Sequence, residues 1–229
     1  MRKSTLAAAL ALLCVFLLNS CSSETGSSPS TESSVTTELP PPVTSTTAPS
    51  PAPTTSVLFE FATPQSVNGW SSVDDSVMGG ISASTTTWVE TNGSGALLFS
   101  GMMTTERNGG FTSTLGPADQ SLGERAAGAN ALGITAVGDG RTYVMQLRAG
   151  KSGQDRWIAR FTPTSTSEGS NGTVVAIPIN SFAPVNRFLS PITPSSALDP
   201  STIEQIGIYL IDGQVGNFRL AIEQISAIR

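Results

Sequence analysis

The sequence predicts an all-β sandwich, and three observations support this fold class. Ten short segments alternate apolar and polar residues with a period of two, as half-buried strands do. Glycine, proline, asparagine and aspartate separate the segments, which is typical of turns between strands. Helical periodicity is nearly absent, and no internal repeat of about 20–50 residues indicates a propeller or a solenoid.

The predicted strands lie between residues 57 and 229, a stretch of 173 residues that suits one domain. They cover residues 58–61, 81–89, 96–100, 111–115, 132–137, 142–148, 156–162, 173–177, 203–211 and 217–225. In the sixth, Tyr143, Met145 and Leu147 fall on one face, with Gln146 and Arg148 on the other. Residues 120–130 are the best helical candidate, but two glycines interrupt them and predict a single turn at most.

The first twenty residues have the layout of an export signal. Arg2 and Lys3 precede an apolar run of thirteen residues, which is too short to cross a hydrocarbon core that needs about 20. The last leucine of the run and the three residues after it read Leu-Asn-Ser-Cys at 18–21. This sequence is similar to a bacterial lipobox and predicts a lipid on Cys21. An ordinary cleaved signal with a chance cysteine is the alternative.

Residues 21–56 form a predicted disordered tether. Of the 35 residues after Cys21, 10 are serine, 9 are threonine and 7 are proline, so little apolar surface could offset the entropy of ordering. The prolines favour extended conformations that would hold a domain away from a membrane. A linker without a required length fits the same residues.

Composition excludes much of catalytic chemistry. The chain has no histidine and two cysteines, and Cys14 lies in the signal while Cys21 carries the predicted lipid. Histidine triads, cysteine-histidine dyads and His-ligated metals are therefore impossible in the folded part. Without the signal, 10 basic residues face 17 acidic ones, which argues against a nucleic-acid partner. The composition favours a protein that is not an enzyme, and no cofactor is expected.

Three glycine-centred clusters lie at the edges of predicted strands. The first is Trp70 followed by residues 74–82, which read Asp-Asp-Ser-Val-Met-Gly-Gly-Ile-Ser; the second, 108–111, reads Asn-Gly-Gly-Phe. The third, 138–141, reads Gly-Asp-Gly-Arg and is followed by Tyr143. Further matching pieces are Ile-Pro at 177–178, Ile-Gly-Ile at 206–208, Asp-Gly-Gln at 212–214 and Gly-Asn-Phe at 216–218.

Together these pieces resemble the complex I intermediate-associated protein 30 family, over nearly all of residues 57–228. The resemblance implies a jelly-roll β-sandwich of the galactose-binding-domain-like type. Family members assist the assembly of respiratory NADH:ubiquinone oxidoreductase, which implies a protein-interaction role. The chain departs from the family at 185–188, where Val-Asn-Arg-Phe stands in place of a frequent Arg-Gly pair, so a binding surface there would differ.

The clusters supply six candidate ligand-binding residues, each with a plainer interpretation. Asp74 and Asp75 are weak candidates for a Ca²⁺ site because hard cations take carboxylate oxygens, but aspartate and glycine are also the default residues of turns. Asn108, Asp139 and Arg141 offer polar groups that a hairpin or a local ion pair explains equally well. Trp70 could stack on a sugar or belong to the core.

The leading hypothesis is a membrane-tethered, extracytoplasmic binding or assembly module, lipid-anchored on the outer face of a bacterial membrane. Its partner would be a protein or an envelope glycan. The alternative function is a carbohydrate-binding module at the cell envelope, which rests on likeness of fold alone.

Overall fold

A computed structural model describes residues 52–150, 155–164, 167, 169–193 and 197–229. Twelve strands and one α-helix lie in these ranges, and the strands form two antiparallel sheets. The predicted signal, Cys21 and all but the last five residues of the predicted tether lie outside the described residues. Among the described residues, no helix is long and apolar enough to cross a membrane.

Sheet I has six strands in the order β3-β4-β12-β6-β9, with β1 also paired to β12. Its strands are β1 (Thr55–Glu60), β3 (Ala83–Thr91), β4 (Ser94–Met103), β6 (Ala131–Val137), β9 (Thr173–Pro178) and β12 (Gly216–Ile228). β12 is thirteen residues long and pairs with three strands. Its residues 216–222 pair with β4, its residues 224–228 pair with β1, and β6 pairs with residues 221–228.

Sheet II has six strands in the order β10-β8-β7-β11-β5-β2. Its strands are β2 (Ser71–Asp74), β5 (Thr112–Leu115), β7 (Tyr143–Ala149), β8 (Asp155–Phe161), β10 (Ala183–Val185) and β11 (Gln205–Leu210). The helix α1 (Ser121–Ala126) connects β5 to β6. A 3-10 turn, Asp75–Met78, follows β2 directly.

The core lies between the two sheets and is built by alternation along the strands. Tyr143, Met145 and Leu147 of β7 are fully buried there, as their predicted shared face requires. Gln146 and Arg148 lie on the opposite face of sheet II. That opposite face carries a second, smaller apolar cluster formed by Val144, Ile158 and Val185.

All ten predicted strands are present, with ends that differ by a few residues. The prediction missed β2 and β10, which are four and three residues long and too short for alternation to be seen. The helix is six residues long, somewhat more than the single turn predicted. Gly123 lies inside it, where a Cβ would clash with the backbone carbonyl of Ser201.

Candidate functional site: a groove on sheet II

The first two glycine clusters meet at one buried carboxylate. Asp75 is fully buried and accepts hydrogen bonds from the Ser82 backbone N–H at 2.9 Å and the Ser82 hydroxyl at 2.5 Å. It also accepts from the backbone N–H groups of Gly110 at 2.7 Å and Phe111 at 3.4 Å. Burial raises the pKa of Asp75, but these hydrogen bonds together outweigh burial and hold it below its ordinary 3.8.

Each of these two clusters contains a pair of glycines, and the two glycines of a pair are needed for different physical reasons. Gly79 and Gly110 have φ of 89° and 144°, which other residues rarely adopt. A Cβ on Gly80 would lie 2.3 Å from Oδ1 of Asp75, and one on Gly109 would lie 2.6 Å from its Oδ2. In each pair, one glycine makes the turn and the other leaves room for the carboxylate.

Asp74 joins the two sheets instead of sharing the contacts of Asp75. Its carboxylate accepts the Ser84 backbone N–H at 2.8 Å and the Ser84 hydroxyl at 2.5 Å, which connects β2 of sheet II to β3 of sheet I. The described residues contain no group of three or more acids, histidines or cysteines that could hold a metal. Calcium binding by Asp74 and Asp75 stays a prediction.

The third cluster stabilises the start of β12. Asp139 accepts hydrogen bonds from the Tyr143 hydroxyl and the Arg219 backbone N–H, both at 3.0 Å, and forms an ion pair of 3.2 Å with Arg141. Burial, and then the neighbouring Asp139, raise the pKa of Tyr143 far above its ordinary value. Among the described residues, no hydrogen bond joins this cluster to the other two.

Arg141 donates to three backbone carbonyls, two just before β12 and one in its second residue. These are Gln214 at 2.7 Å, Val215 at 3.2 Å and Asn217 at 2.8 Å. The remaining candidates lie elsewhere: Trp70 is buried with its ring edge against Phe59 and Phe61, and Asn108 is exposed beside the second glycine pair. Ligand binding by all six candidates stays a prediction, and most of them have a contact inside the fold.

A groove of about 800 Å³ crosses the face of sheet II that is turned away from the core. Its floor comes from three central strands: Ser113 of β5, Gln146 and Arg148 of β7, and Tyr209 of β11. The Tyr209 hydroxyl donates to Oε1 of Gln146 at 3.3 Å. Polar side chains from distant parts of the chain therefore meet on one face of sheet II, where Ser113 and Gln146 are themselves buried.

The walls of the groove come from the two edges of sheet II. At one edge, the turn after β2 contributes Val77 and Met78, which are 72% and 57% exposed. At the other edge, the segment after β10 contributes Arg187 and Phe188. The Asp75 contacts hold the first wall in place, because the exposed Val77 and Met78 lie within the turn that this carboxylate anchors.

Four arginines line the groove: Arg148, Arg156, Arg160 and Arg187. Asp212 is the one acid among its described lining residues, and it is paired with Arg160 through two bonds of 2.8 and 3.0 Å. Burial raises the pKa of Tyr209, and the positive charges of Arg148 and Arg156 lower it in part. The groove is thus basic, although the whole chain has a formal net charge of −5.

Another cavity, of about 840 Å³, lies near Pro178–Pro184, beside Ala197 and Leu198. Its described lining includes Asn130, Asn180, Ser181, Trp157 and Phe182 but no charged residue, so it offers fewer polar groups than the groove to fix the orientation of a ligand. The groove on sheet II is therefore the stronger candidate site.

Sequence reasoning missed the groove as a site but contained two signals for it. The alternation of β7 places Gln146 and Arg148 on the face away from the core, and that face proves to be the floor. The departure from the family pattern at 185–188 contains Arg187 and Phe188, which prove to form a wall.

The comparisons with known proteins agree on the fold. The family model described as Complex I intermediate-associated protein 30 matches residues 59–222. A search of curated proteins finds no match.

Two solved structures illustrate the likeness. One is a family 11 carbohydrate-binding module of the cellulase Lic26A-Cel5E of Clostridium thermocellum, with 19% identity and a TM-score of 0.53 over 77% of this chain and 95% of that one. The other is a family 11 module from the same organism in complex with a β-1,3-1,4-mixed-linked tetrasaccharide, with 19% identity, a TM-score of 0.52 and coverage of 76% and 94%. They identify the fold as a jelly-roll sandwich of the galactose-binding-like type.

Proposed function

The chain belongs to the Complex I intermediate-associated protein 30 family, and from this premise we propose that it is a non-enzymatic module that binds an envelope glycan in the groove on sheet II. The observation that carries the proposal is the combination of polar groups on the groove floor with apolar walls on either side. A sugar ring has polar edges and an apolar face, so it needs both kinds of contact at once.

The chemistry of the groove suits a chain of sugars better than a compact ligand. The groove runs across several strands of sheet II and has a wall at each edge, so it would accept consecutive rings. The Tyr209 hydroxyl on the floor can bond a ring hydroxyl of a sugar, and Phe188 is 66% exposed at the rim, with the Arg187 guanidinium 4.5 Å over its ring. A structural neighbour of the same fold was solved with a tetrasaccharide, which supports this class of ligand by analogy.

The proposed place of action is outside the cytoplasm, on the outer face of a bacterial membrane. The signal-like residues 1–20, the lipobox-like sequence before Cys21 and the Ser/Thr/Pro-rich stretch support a lipid-anchored domain on a tether. A glycan-binding domain held this way could reach the envelope polymers around it.

Binding of the full-length chain to an array of envelope glycans tests the proposal, with Phe188→Ala as the groove variant. Phe188 is 66% exposed, so its loss should leave the fold intact. Burial of an aromatic side chain against a sugar contributes about 1.5–3 kcal/mol, so affinity should fall about tenfold or more. Val174→Ala is the matched control, because Val174 of β9 is 59% exposed and does not line the groove. Absence of binding to every glycan, or equal loss in both variants, would refute the proposal.

A protein partner is the second candidate, and exposed apolar residues favour it. Val77, Met78 and Ile81 follow β2 and are 72%, 57% and 44% exposed, as in protein interaction sites. The family description suggests assembly of respiratory complex I. Deletion of the gene should then lower the amount of assembled complex on native gels, and unchanged amounts would count against this role.

A further inference from the structure

The wall of the groove that carries Phe188 is the tip of a small hairpin. Strand β10 forms its first arm and pairs with residues 191 and 192 of the second arm. The Asn186 backbone N–H donates to the Ser190 carbonyl at 2.9 Å and closes the loop between the arms. The tip therefore consists of the five residues 186–190, and Phe188 lies at its centre.

Asn186 is the hydrogen-bond centre of this tip. Its side-chain Oδ1 accepts the backbone N–H of Phe188 at 2.8 Å and that of Ser190 at 3.1 Å. Its backbone carbonyl accepts the Leu189 N–H at 3.0 Å. The short asparagine side chain is suited to this role, because it reaches the backbone two residues further along. Three consecutive N–H groups of the tip are thus bound to one residue.

Leu189 fixes the tip on sheet II. Its φ of 61° lies in the left-handed region, which a bulky residue adopts only when its surroundings require it. Its side chain is partly buried and packs against the smaller apolar cluster formed by Val144, Ile158 and Val185. The contact with this cluster holds the loop against the sheet, while the preceding residue, Phe188, stays exposed.

The Phe188 ring is itself restricted. The Arg187 guanidinium lies 4.5 Å from the ring centroid, in a cation–π contact over one face. The Phe188 side chain is nevertheless 66% exposed, so much of its surface is open to a ligand. A ligand that packs on a ring already held in place does not have to order the loop, so its binding loses less entropy.

We propose that Asn186 is a positioning residue for glycan binding, because it holds the hairpin tip in the conformation that presents Phe188 to a sugar ring. This inference rests on the proposed glycan-binding function and names the residue on which one wall of its groove depends. Asn186 acts through Phe188 and does not touch the sugar. The loop is ordered when the chain folds, before any ligand arrives.

Nitrogen-15 relaxation of the full-length chain in detergent tests the ordering without any ligand. We expect order parameters of about 0.85 for the Phe188 and Ser190 amides in the original chain and below about 0.6 in Asn186→Ala. Asn186→Asp keeps an acceptor oxygen and should restore the original values. Asp199→Ala is the matched control, because Asp199 also accepts a backbone N–H in a loop, from Ser201 at 2.9 Å, and does not line the groove.

Calorimetric titration of the same proteins tests the effect on binding. The panel contains the β-1,3-1,4-linked tetrasaccharide and β-1,4-linked tetramers of glucose, N-acetylglucosamine and xylose. For each sugar that the original chain binds, Asn186→Ala should weaken affinity about two- to tenfold, as expected from the cost of ordering one side chain. Asn186→Asp and Asp199→Ala should bind like the original chain. In a Phe188→Ala background, Asn186→Ala should cause no further loss, because it acts through the same ring.

The outcomes separate the inference from the proposed function. Equal order parameters in the original chain and Asn186→Ala, or equal affinities for every sugar bound, would overturn the inference and leave glycan binding intact. A further loss of affinity from Asn186→Ala in the Phe188→Ala background would also overturn it. Absence of binding by the original chain to every sugar in the panel and to envelope glycans would overturn the proposed function and the inference together.

Discussion

Removal of the Asp75 carboxylate should be among the most destabilising single changes in the domain. Ser82 donates to it twice and Gly110 once, at 2.5 to 2.9 Å. Three hydrogen bonds to a charged group at about 1.5–3 kcal/mol each sum to about 4.5–9 kcal/mol. The cost of burying a carboxylate, several kcal/mol, offsets part of this sum. Asp75→Ala should therefore lower the free energy of unfolding by about 3–5 kcal/mol.

Urea unfolding followed by the fluorescence of the buried Trp70 and Trp157 measures this change. Asp75→Asn should lose less than the alanine variant, because the amide keeps one acceptor oxygen. Glu90→Gln is the control: Glu90 lies exposed on β3, and its change should stay within about 0.5 kcal/mol. A loss below about 1 kcal/mol in Asp75→Ala would refute the reasoning.

The pH dependence gives an independent check on the same carboxylate. Its pKa is lowered in the folded state, so the stabilisation is present above the ordinary pKa of 3.8 and is lost as pH falls through the lower folded value. Unfolding free energy should therefore drop below about pH 4, more steeply in the original chain than in Asp75→Asn. Equal slopes in both would show that Asp75 does not carry the acid sensitivity. Asp119 and Asp199, whose pKa values are also lowered, contribute the same background to both proteins.

Two further predictions concern the other parts of the glycine clusters. Gly109→Ala places a Cβ 2.6 Å from Oδ2 of Asp75 and should lower the free energy of unfolding in urea by about 1–3 kcal/mol. Gly79→Asn should lower it by less than about 1 kcal/mol, because the site has open space and asparagine tolerates the left-handed backbone. A larger loss in Gly79→Asn than in Gly109→Ala would contradict the steric explanation. Arg141→Ala removes three hydrogen bonds to carbonyls, so it should speed amide hydrogen exchange in residues 212–217. The exchange of β1, which pairs with the far end of β12, should stay unchanged. Unchanged exchange in residues 212–217 would contradict the role of Arg141.

The fold could be predicted from the sequence because each long strand carries its own signal. The alternation in β7 and β12 is a local pattern, and it predicted which side chains enter the core. By contrast, β10 contains a proline and three residues only, and it became a strand because β8 offered it a partner. Elements of this kind depend on tertiary contacts that no local pattern records.

The groove could not be predicted because its parts are brought together by sheet order. Ser113, Arg148 and Tyr209 belong to three strands far apart in the chain, and only the pairing of β5, β11 and β7 places them side by side. Asp75 shows the opposite difficulty. Its motif is conspicuous in the sequence, and the same residues would suit a ligand site or an internal carboxylate, so only its burial and its donors distinguish the two.

The family motif and the groove have different roles in the proposed function. The polar atoms of the motif at Asp74, Asp75 and Asp139 are occupied by contacts within the chain, whereas Arg148 and Arg187 present charge to an open surface. Changes in the motif should alter stability and binding together, because they release a wall of the groove. Changes at the exposed wall residue Phe188 should alter binding alone. Under the proposed function, the choice of ligand would therefore depend on floor and wall residues such as Arg148 and Phe188, which lie outside the motif.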